Sequence, residues 1–373
     1  MKTEAVDFDL HGIVGIRLIN ATPADIAAVK RQLGPIQSSL SRTPDIVIRF
    51  VEKMQFSSTV RYLGVDDAGF TDDAFFVFRG KQESSVKVQI PFDKIGSQQC
   101  EIVCESGLLA VPLLIAIINM TALSKGVLPV HATALIYNGK GVLLTGWSKG
   151  GKTETLLAFA ANGAQYVGDE WIYLSNDGNH MHGIPEPTRI WLWHLQEMPE
   201  YMAMVSRKKL LWLRALNTFA KSIMWLEARM GNGSTISRVL HRFSALVKRQ
   251  LYVQLPPEKL FGQKSGRTDL GPEKIFWVVS HENSNVEVQQ INEHELAQRT
   301  VFSLQEERME FLSYYMKYRF AFPECSNPLI DQVEEVQRRM LVHAFAGRDA
   351  YAVYHPYPFS IPSIFEKIQP YCA

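Results

Sequence analysis

The sequence predicts an α/β protein, a P-loop-containing nucleotide-binding domain with an N-terminal α+β region and a basic helical insertion. Three observations predict it. Gly146-Trp147-Ser148-Lys149-Gly150-Gly151-Lys152-Thr153 fits the phosphate-binding pattern G-x-x-x-x-G-K-[ST] at every fixed position. The apolar run 142–145 reads as a strand entering that loop, and Thr153 to Ala161 as a helix leaving it, with Gly163 as its stop. After the helix, 165–168 reads as a second strand that ends in two adjacent acids, Asp169 and Glu170.

The chemistry accounts for these residue types. Glycines let successive N–H groups turn inward toward phosphate oxygens, and the helix N-terminus adds a favourable dipole. Lys152 is placed to reach the β- and γ-phosphates of ATP, and the Thr153 hydroxyl to join the shell of Mg²⁺. The loop residues from Gly146 to Thr153, with Glu154 behind them, are the candidate nucleotide contacts. Carboxylates at the end of a neighbouring strand can hold Mg²⁺ or take a proton from an attacking hydroxyl, as phosphoryl transfer requires. Gly-Asp-Glu is also ordinary turn composition. Thr153 and Asp169 are close in sequence, which favours a compact strand–loop–helix–strand unit that returns both acids to the loop.

His131, Gly141–Gly146, Gly151-Lys152-Thr153-Glu154-Thr155, Gly163 and Val167-Gly168-Asp169-Glu170 together resemble the catalytic domain of HPr kinase/phosphorylase. That family shares its nucleotide-binding fold with phosphoenolpyruvate carboxykinase. The resemblance implies an ATP- and Mg²⁺-dependent kinase acting on a serine hydroxyl of a protein. It implies that Asp169 and Glu170 supply the general base and help hold the metal, with His131 beside them. The sequence departs from the family twice. The second acid is Glu170 where the family has Asp, and Gly183-Ile184-Pro185-Glu186-Pro187-Thr188-Arg189-Ile190 stands where the family has its downstream signature. Phosphorylase activity and HPr itself as substrate are therefore not carried over.

The remaining elements follow in chain order. The 373 residues, 46% of them hydrophobic and 21% charged, have room for two domains and a large core, and the net charge of +1 gives no global field. Four cysteines (Cys100, Cys104, Cys325, Cys372) show no C-x-x-C pair and read as reduced thiols of a cytoplasmic protein. The first twenty residues lack the pattern of a signal peptide. Residues 1–105 read as the N-terminal region, with a helix opening at Thr22-Pro23 and strands at 46–51, 75–78 and 86–90. Asp66-Asp67 and Asp72-Asp73 fit metal ligands, but turn acids are commoner. The apolar run 108–118 is too short to span a membrane and reads as a buried helix. Residues 106–373 form the second domain. Asn138-Gly139-Lys140-Gly141 signals a hairpin, so that His131 begins a strand near the loop.

Arg189 is a candidate to neutralise a transferring phosphate and Glu186 to complete the metal shell, against the alternative of a stiff Pro-Glu-Pro turn. Trp191, Trp193 and Trp212 are expected in the core or at an interface. From Ser206 to Gln250 there are ten basic residues against the single acid Glu227. Apolar residues at helical spacing predict two basic amphipathic helices meeting near Gly231-Asn232-Gly233, within an insertion of about 200–255. An acidic protein or peptide, an anionic membrane surface and a solvated face are the open readings, with nucleic acid ranked last. Further on, 275–279 and 286–290 read as strands, 292–300 and 329–345 as helices, and 350–354 as a last strand before the aromatic turn 355–359. A homo-oligomer is possible. The functional expectation is transfer of the γ-phosphoryl of ATP to a hydroxyl, foremost serine of a protein or peptide. A small-molecule alcohol kinase and a non-catalytic nucleotide-binding regulator are the alternatives.

Overall fold

A computed structural model describes residues 5–64, 67–79, 86–229, 235–262, 270–357 and 360–372. Gly231-Asn232-Gly233, Asp66 and the end of the aromatic turn at Pro358-Phe359 lie outside the described residues. The chain is mixed α/β, with two eight-stranded sheets and one two-stranded ribbon among the described residues.

The first sheet is mixed and contains only residues up to Glu105. Its parallel strands Val14–Ile19 and Ile46–Val51 are joined through the helix Pro23–Leu33. Thr22 and Asp25 cap that helix reciprocally, as the Thr-Pro signal predicts. Asp67 pairs with Lys317, Asp72 with Arg61, and Asp73 accepts from the hydroxyls of Thr71 and Ser57, so the described turn acids are engaged within the protein.

The second sheet is built from the order Met181–Gly183, Trp171–Leu174, Leu128–Tyr137, Lys140–Thr145, Lys274–Ser280, Asp349–His355, Glu287–Gln290. Asn138 and Gly139, both with positive φ, make the tight turn between Tyr137 and Lys140 that Asn-Gly predicts. Lys140–Thr145, Lys274–Ser280 and Asp349–His355 run parallel, so their C-terminal ends reach the same edge of the sheet. That edge carries the glycine-rich loop. Ligands in open α/β sheets bind outside the carboxyl ends of parallel strands.

One helix joins the two sheets. Sequence reading ends it at Thr300, whereas it runs from Glu293 to Ala321. No glycine or proline interrupts 301–321, and its apolar residues keep helical spacing, so the physical reason for continuation is present in the sequence. Its C-terminal half packs Phe311, Tyr315 and Tyr318 around Phe92 of the N-terminal region. One apolar core therefore runs from Val6 to Ala350 across both sheets.

Three further expectations shift. The helix expected at 108–118 forms instead at Leu114–Ser124, because Pro112 and left-handed Leu113 hold the preceding residues out of helix. Its side chains are buried, and no described helix is long and apolar enough to cross a membrane. The helix expected at 329–345 is two helices, Pro328–Asp331 and Val333–Phe345. Trp212 is 46% exposed and belongs to no core, while Trp191 and Trp193 are partly buried.

Asn327 ties the halves together. Its amide nitrogen donates to the carbonyls of Phe92 and Ile95, both at 2.8 Å, and its side-chain oxygen accepts from Leu329 N and Ile330 N. Asn327→Ala removes a donor from two buried carbonyls, of which Phe92 O keeps only the long bond from Ile95 N, and uncaps a helix, and should cost about 2–4 kcal/mol. Urea unfolding monitored by circular dichroism measures this, and an unchanged midpoint would show the tie to be dispensable.

Candidate active site

The glycine-rich loop joins the strand Lys140–Thr145 to the helix Lys152–Ala161. Two of its glycines are required by geometry. Gly146 has φ +148° and lies where a Cβ would sit 2.4 Å from the Val278 carbonyl oxygen. Gly151 has φ +103°, and a Cβ there would sit 2.7 Å from His355 Nε2. Neither position tolerates a side chain.

The loop is held by three side chains from three elements. Lys152 donates from Nζ to the carbonyls of Gly146 (3.2 Å) and Trp147 (3.0 Å). Ser303, on the long helix, donates to Gly146 O at 3.0 Å. His355, at the end of the last strand, lies 2.8 Å from Gly150 O through Nε2. Ser303 and His355 were beyond the reach of sequence reading, since only the folded chain brings them to the loop. Burial lowers the Lys152 ammonium pKa, with Glu170, Asp169 and Glu307 opposing that shift.

The acids come from a break in an edge. Gln165–Gly168 and Trp171–Leu174 both pair antiparallel with the strand Leu128–Tyr137, and Asp169 and Glu170 occupy the gap between them. The register shifts just before them, between Tyr166 and Gly168, and Glu170 adopts a left-handed φ of +70°. Such an irregularity re-aims side chains that regular alternation would send to opposite faces. The expectation that the strand ends at the acid pair agrees with this. The placement of His131 does not: it is the fourth residue of a ten-residue strand rather than its start. The apolar residues Leu128, Pro129 and Val130 extend the pairing as far as Trp171–Leu174.

His131 and Thr133, two apart on that strand, face the acids. The Thr133 hydroxyl donates to Asp169 Oδ1 at 2.5 Å. His131 Nε2 lies 3.1 Å from Glu170 Oε2. His131 Nδ1 lies 3.0 Å from Glu307 Oε1 on the long helix, an ion-pair contact without hydrogen-bond alignment. Burial alone would lower the imidazole pKa, but the two carboxylates outweigh it and hold it above its ordinary value. Glu307 is lowered in turn, chiefly by His131.

Asp169 is 4% exposed. Burial first, and then the adjacent Glu170, push its carboxyl up to about 6, against the Thr133 hydroxyl, which favours the ionised form. Glu170 is held low, mainly by its hydrogen bond to His131. Thr153 Oγ1 stands 3.4 and 3.5 Å from the two Asp169 oxygens, which brings the loop threonine and the buried acid face to face.

Glu186 and Arg189 also arrive at the site. Glu186 is pushed up to about 8, by burial first and then by Glu170 and Asp169, while Arg189 pulls it down. Arg189 is exposed, on the strand Thr188–Trp191, with its guanidinium 5.7 Å from the centroid of the Tyr252 ring. It influences Glu170 through its charge alone. Glu154 faces elsewhere: its Oε1 lies 3.1 Å from His194 Nε2, in the short helix Leu192–Glu197, and this contact outweighs burial to lower its pKa. Among the described residues no group of three or more His, Cys, Asp or Glu has the geometry of a ready-made metal centre. Beside the loop lies a cavity of about 220 Å³ lined by Trp147, Trp277, Arg299 and Phe302, with Arg299 4.5 Å above the Trp277 ring.

The raised Asp169 carboxyl sets a stability profile. Below about pH 3 the group is protonated in folded and unfolded chains alike and contributes nothing. Between the ordinary value of 3.8 and about 6 the unfolded chain ionises first, so a cost to the fold grows with pH and is complete above 6. Asp169→Asn should therefore stabilise the protein by about 1–3 kcal/mol at pH 7–8 and by almost nothing at about pH 3. Urea midpoints across that range test this, and parallel profiles for the two proteins would refute it. Comparisons with protein-family models and with curated proteins find no match, and the chemistry rests on these residues.

Proposed function

We propose that the protein is an ATP- and Mg²⁺-dependent kinase of the HPr-kinase-like type that transfers the γ-phosphoryl group to a hydroxyl, foremost serine of a protein or peptide. One observation carries the reading. A glycine-rich loop with Lys152 and Thr153 meets a buried, proton-hungry Asp169 across 3.4 Å. A chance glycine-rich turn has no reason to stand opposite a desolvated acid.

Loop amides and Lys152 bind and neutralise the β- and γ-phosphates once Lys152 releases the loop carbonyls it now holds. The donor set suits a divalent cation: Asp169 and Glu186 are pushed up by burial first and then by repulsion from neighbouring carboxylates, and a cation offsets both. Thr153, Asp169 and Glu186 are the residues that would hold Mg²⁺, with Glu170 able to join on leaving His131. When bound, the ion neutralises charge on the phosphates. Asp169 takes the proton as the acceptor oxygen bonds to the γ-phosphorus and the bond to the β-phosphate oxygen breaks, leaving ADP. Before the ion binds, a carboxyl near 6 is mostly ionised at neutral pH and more basic than an ordinary aspartate. His131 orients Glu170, and Glu307 orients His131. The aromatic walls beside the loop offer a flat base a stacking surface.

With γ-labelled ATP and Mg²⁺ in a lysate of the source cell, wild type should label a protein or peptide. Lys152→Ala and Asp169→Asn should each lower the rate by about 10²–10⁴-fold. Label confined to a small molecule would move the acceptor to a metabolite alcohol. No transfer, with ATP binding intact, would leave a nucleotide-binding regulator. With an acceptor in hand, kcat/KM should rise tenfold per pH unit below about 6 and level off above it. A flat profile from pH 5 to 7 would remove Asp169 as the base.

A further inference from the structure

The insertion is bracketed by the antiparallel ribbon of Thr188–Trp191 and Tyr252–Leu255. Between those strands two long helices, Arg207–Arg229 and Thr235–Lys248, pack on each other. Arg207–Arg229 is apolar over two adjoining arcs. Leu213, Ala220 and Ile223 are buried, Leu213 within an apolar core of the body. On the neighbouring arc Leu211, Trp212, Phe219 and Leu226 stand 65, 46, 50 and 46% exposed. The second helix repeats the arrangement: Val247 is buried, while Val239, Phe243 and Leu246 are 60, 48 and 58% exposed.

The two exposed stripes form one surface, since the rings of Phe219 and Phe243 meet edge to face at 6.3 Å. Spacing then places the cations. Arg207, Arg214 and Lys221 recur every seven residues and so form a row along one edge of the first helix's exposed stripe. Arg242 lies on the second helix, and Arg249 follows one residue past its end. All five are exposed. The acid of this segment, Glu227, is partly buried and held 3.0 Å from His241. A second exposed apolar row, Phe302, Met309, Met316 and Phe320, runs along the helix Glu293–Ala321, and the other large exposed apolar groups are single residues that need no partner.

We propose that this helical pair docks on an anionic phospholipid surface, its aromatic stripe entering the headgroup–acyl boundary and its arginine and lysine rows contacting lipid phosphates. A protein groove would have to match the shape of the surface, and a second copy would bring cation row against cation row. A bilayer takes a convex apolar stripe without shape matching, and anionic headgroups satisfy cations on both flanks. Binding by this route leaves the glycine-rich loop and the acid pair untouched, and is independent of the kinase reading.

Co-sedimentation of the full chain with phosphatidylcholine–phosphatidylglycerol vesicles (7:3) tests this against pure phosphatidylcholine. Wild type should partition into the anionic vesicles at least tenfold more strongly, and raising NaCl from 50 to 500 mM should weaken it. Phe219→Ser/Phe243→Ser, and separately Arg207→Glu/Arg214→Glu/Lys221→Glu, should each reduce partitioning at least tenfold, with circular dichroism spectra unchanged. Absence of partitioning by wild type would overturn the proposal, as would full retention by both variants. Light scattering that finds a wild-type dimer abolished by Phe219→Ser/Phe243→Ser, without vesicle binding, would assign the surface to a second copy instead.

Discussion

Asp169 has to remain a carboxylate in a place that water scarcely reaches, and much of the surrounding structure can be understood as meeting that demand. An isolated buried carboxylate would take up a proton, since desolvation penalises its charged form. Thr133 and the Glu170 backbone N–H donate to it, and the buried Lys152 ammonium lies within electrostatic reach. The neighbouring Glu170 would make matters worse, but His131 draws that charge to one side. Glu307 steadies His131 from behind. The outcome is a pair of adjacent acids with divergent proton affinities, Asp169 raised and Glu170 lowered. A divergence of this kind between neighbouring titratable groups is what separates a base from a group that only carries charge.

The long helix Glu293–Ala321 makes that arrangement rigid. Ser303 and Glu307, four residues apart, lie on one face of it. One caps the Gly146 carbonyl and the other contacts His131, so a single element fixes the loop and the acid pair relative to each other. Further along, Phe311, Tyr315 and Tyr318 lock into the N-terminal region around Phe92. The first sheet offers no chemistry of its own to the site. It contributes a fixed packing surface for the helix that holds the site together.

How much of this was legible in the sequence depends on the range of the interaction. The loop, its flanking strand and helix, the Asn-Gly hairpin and the acid pair are local, written in consecutive residues with strong conformational demands. Their positions came out as read. Glu307, Ser303, His355 and Thr133 are ordinary residues in ordinary elements, and only non-local pairing makes them part of the site. His131 lay between the two cases. Its presence near the loop was readable, but its depth within a strand depends on pairing with Trp171–Leu174, which no local pattern announces. The helix that stopped too early was a failure of another sort: the periodicity through 301–321 was there to be followed. Of the two places expected for Trp212, core or interface, its exposure excludes the core, and an apolar stripe beside the buried one marks that exposed face.

The insertion is tied to the site through its stem and not through its tip. Arg189 lies on one strand of the ribbon that bears both helices, and Glu186 lies just before it. His194, in the short helix Leu192–Glu197, contacts Glu154 in the first turn of the helix that leaves the loop. Three polar groups around the loop and acid pair are therefore carried or contacted by the segment that roots the helical pair. A displacement of that pair would have to be absorbed by the ribbon or passed to Arg189 and Glu186. The ribbon is braced by its own cross-strand pairing and by the edge-to-face contact of Trp191 with Tyr252, so it resists bending locally. The softer coordinate is the His194–Glu154 contact, a single hydrogen-bonded pair across two elements. Any coupling between what the helices touch and what the loop holds has its shortest path there.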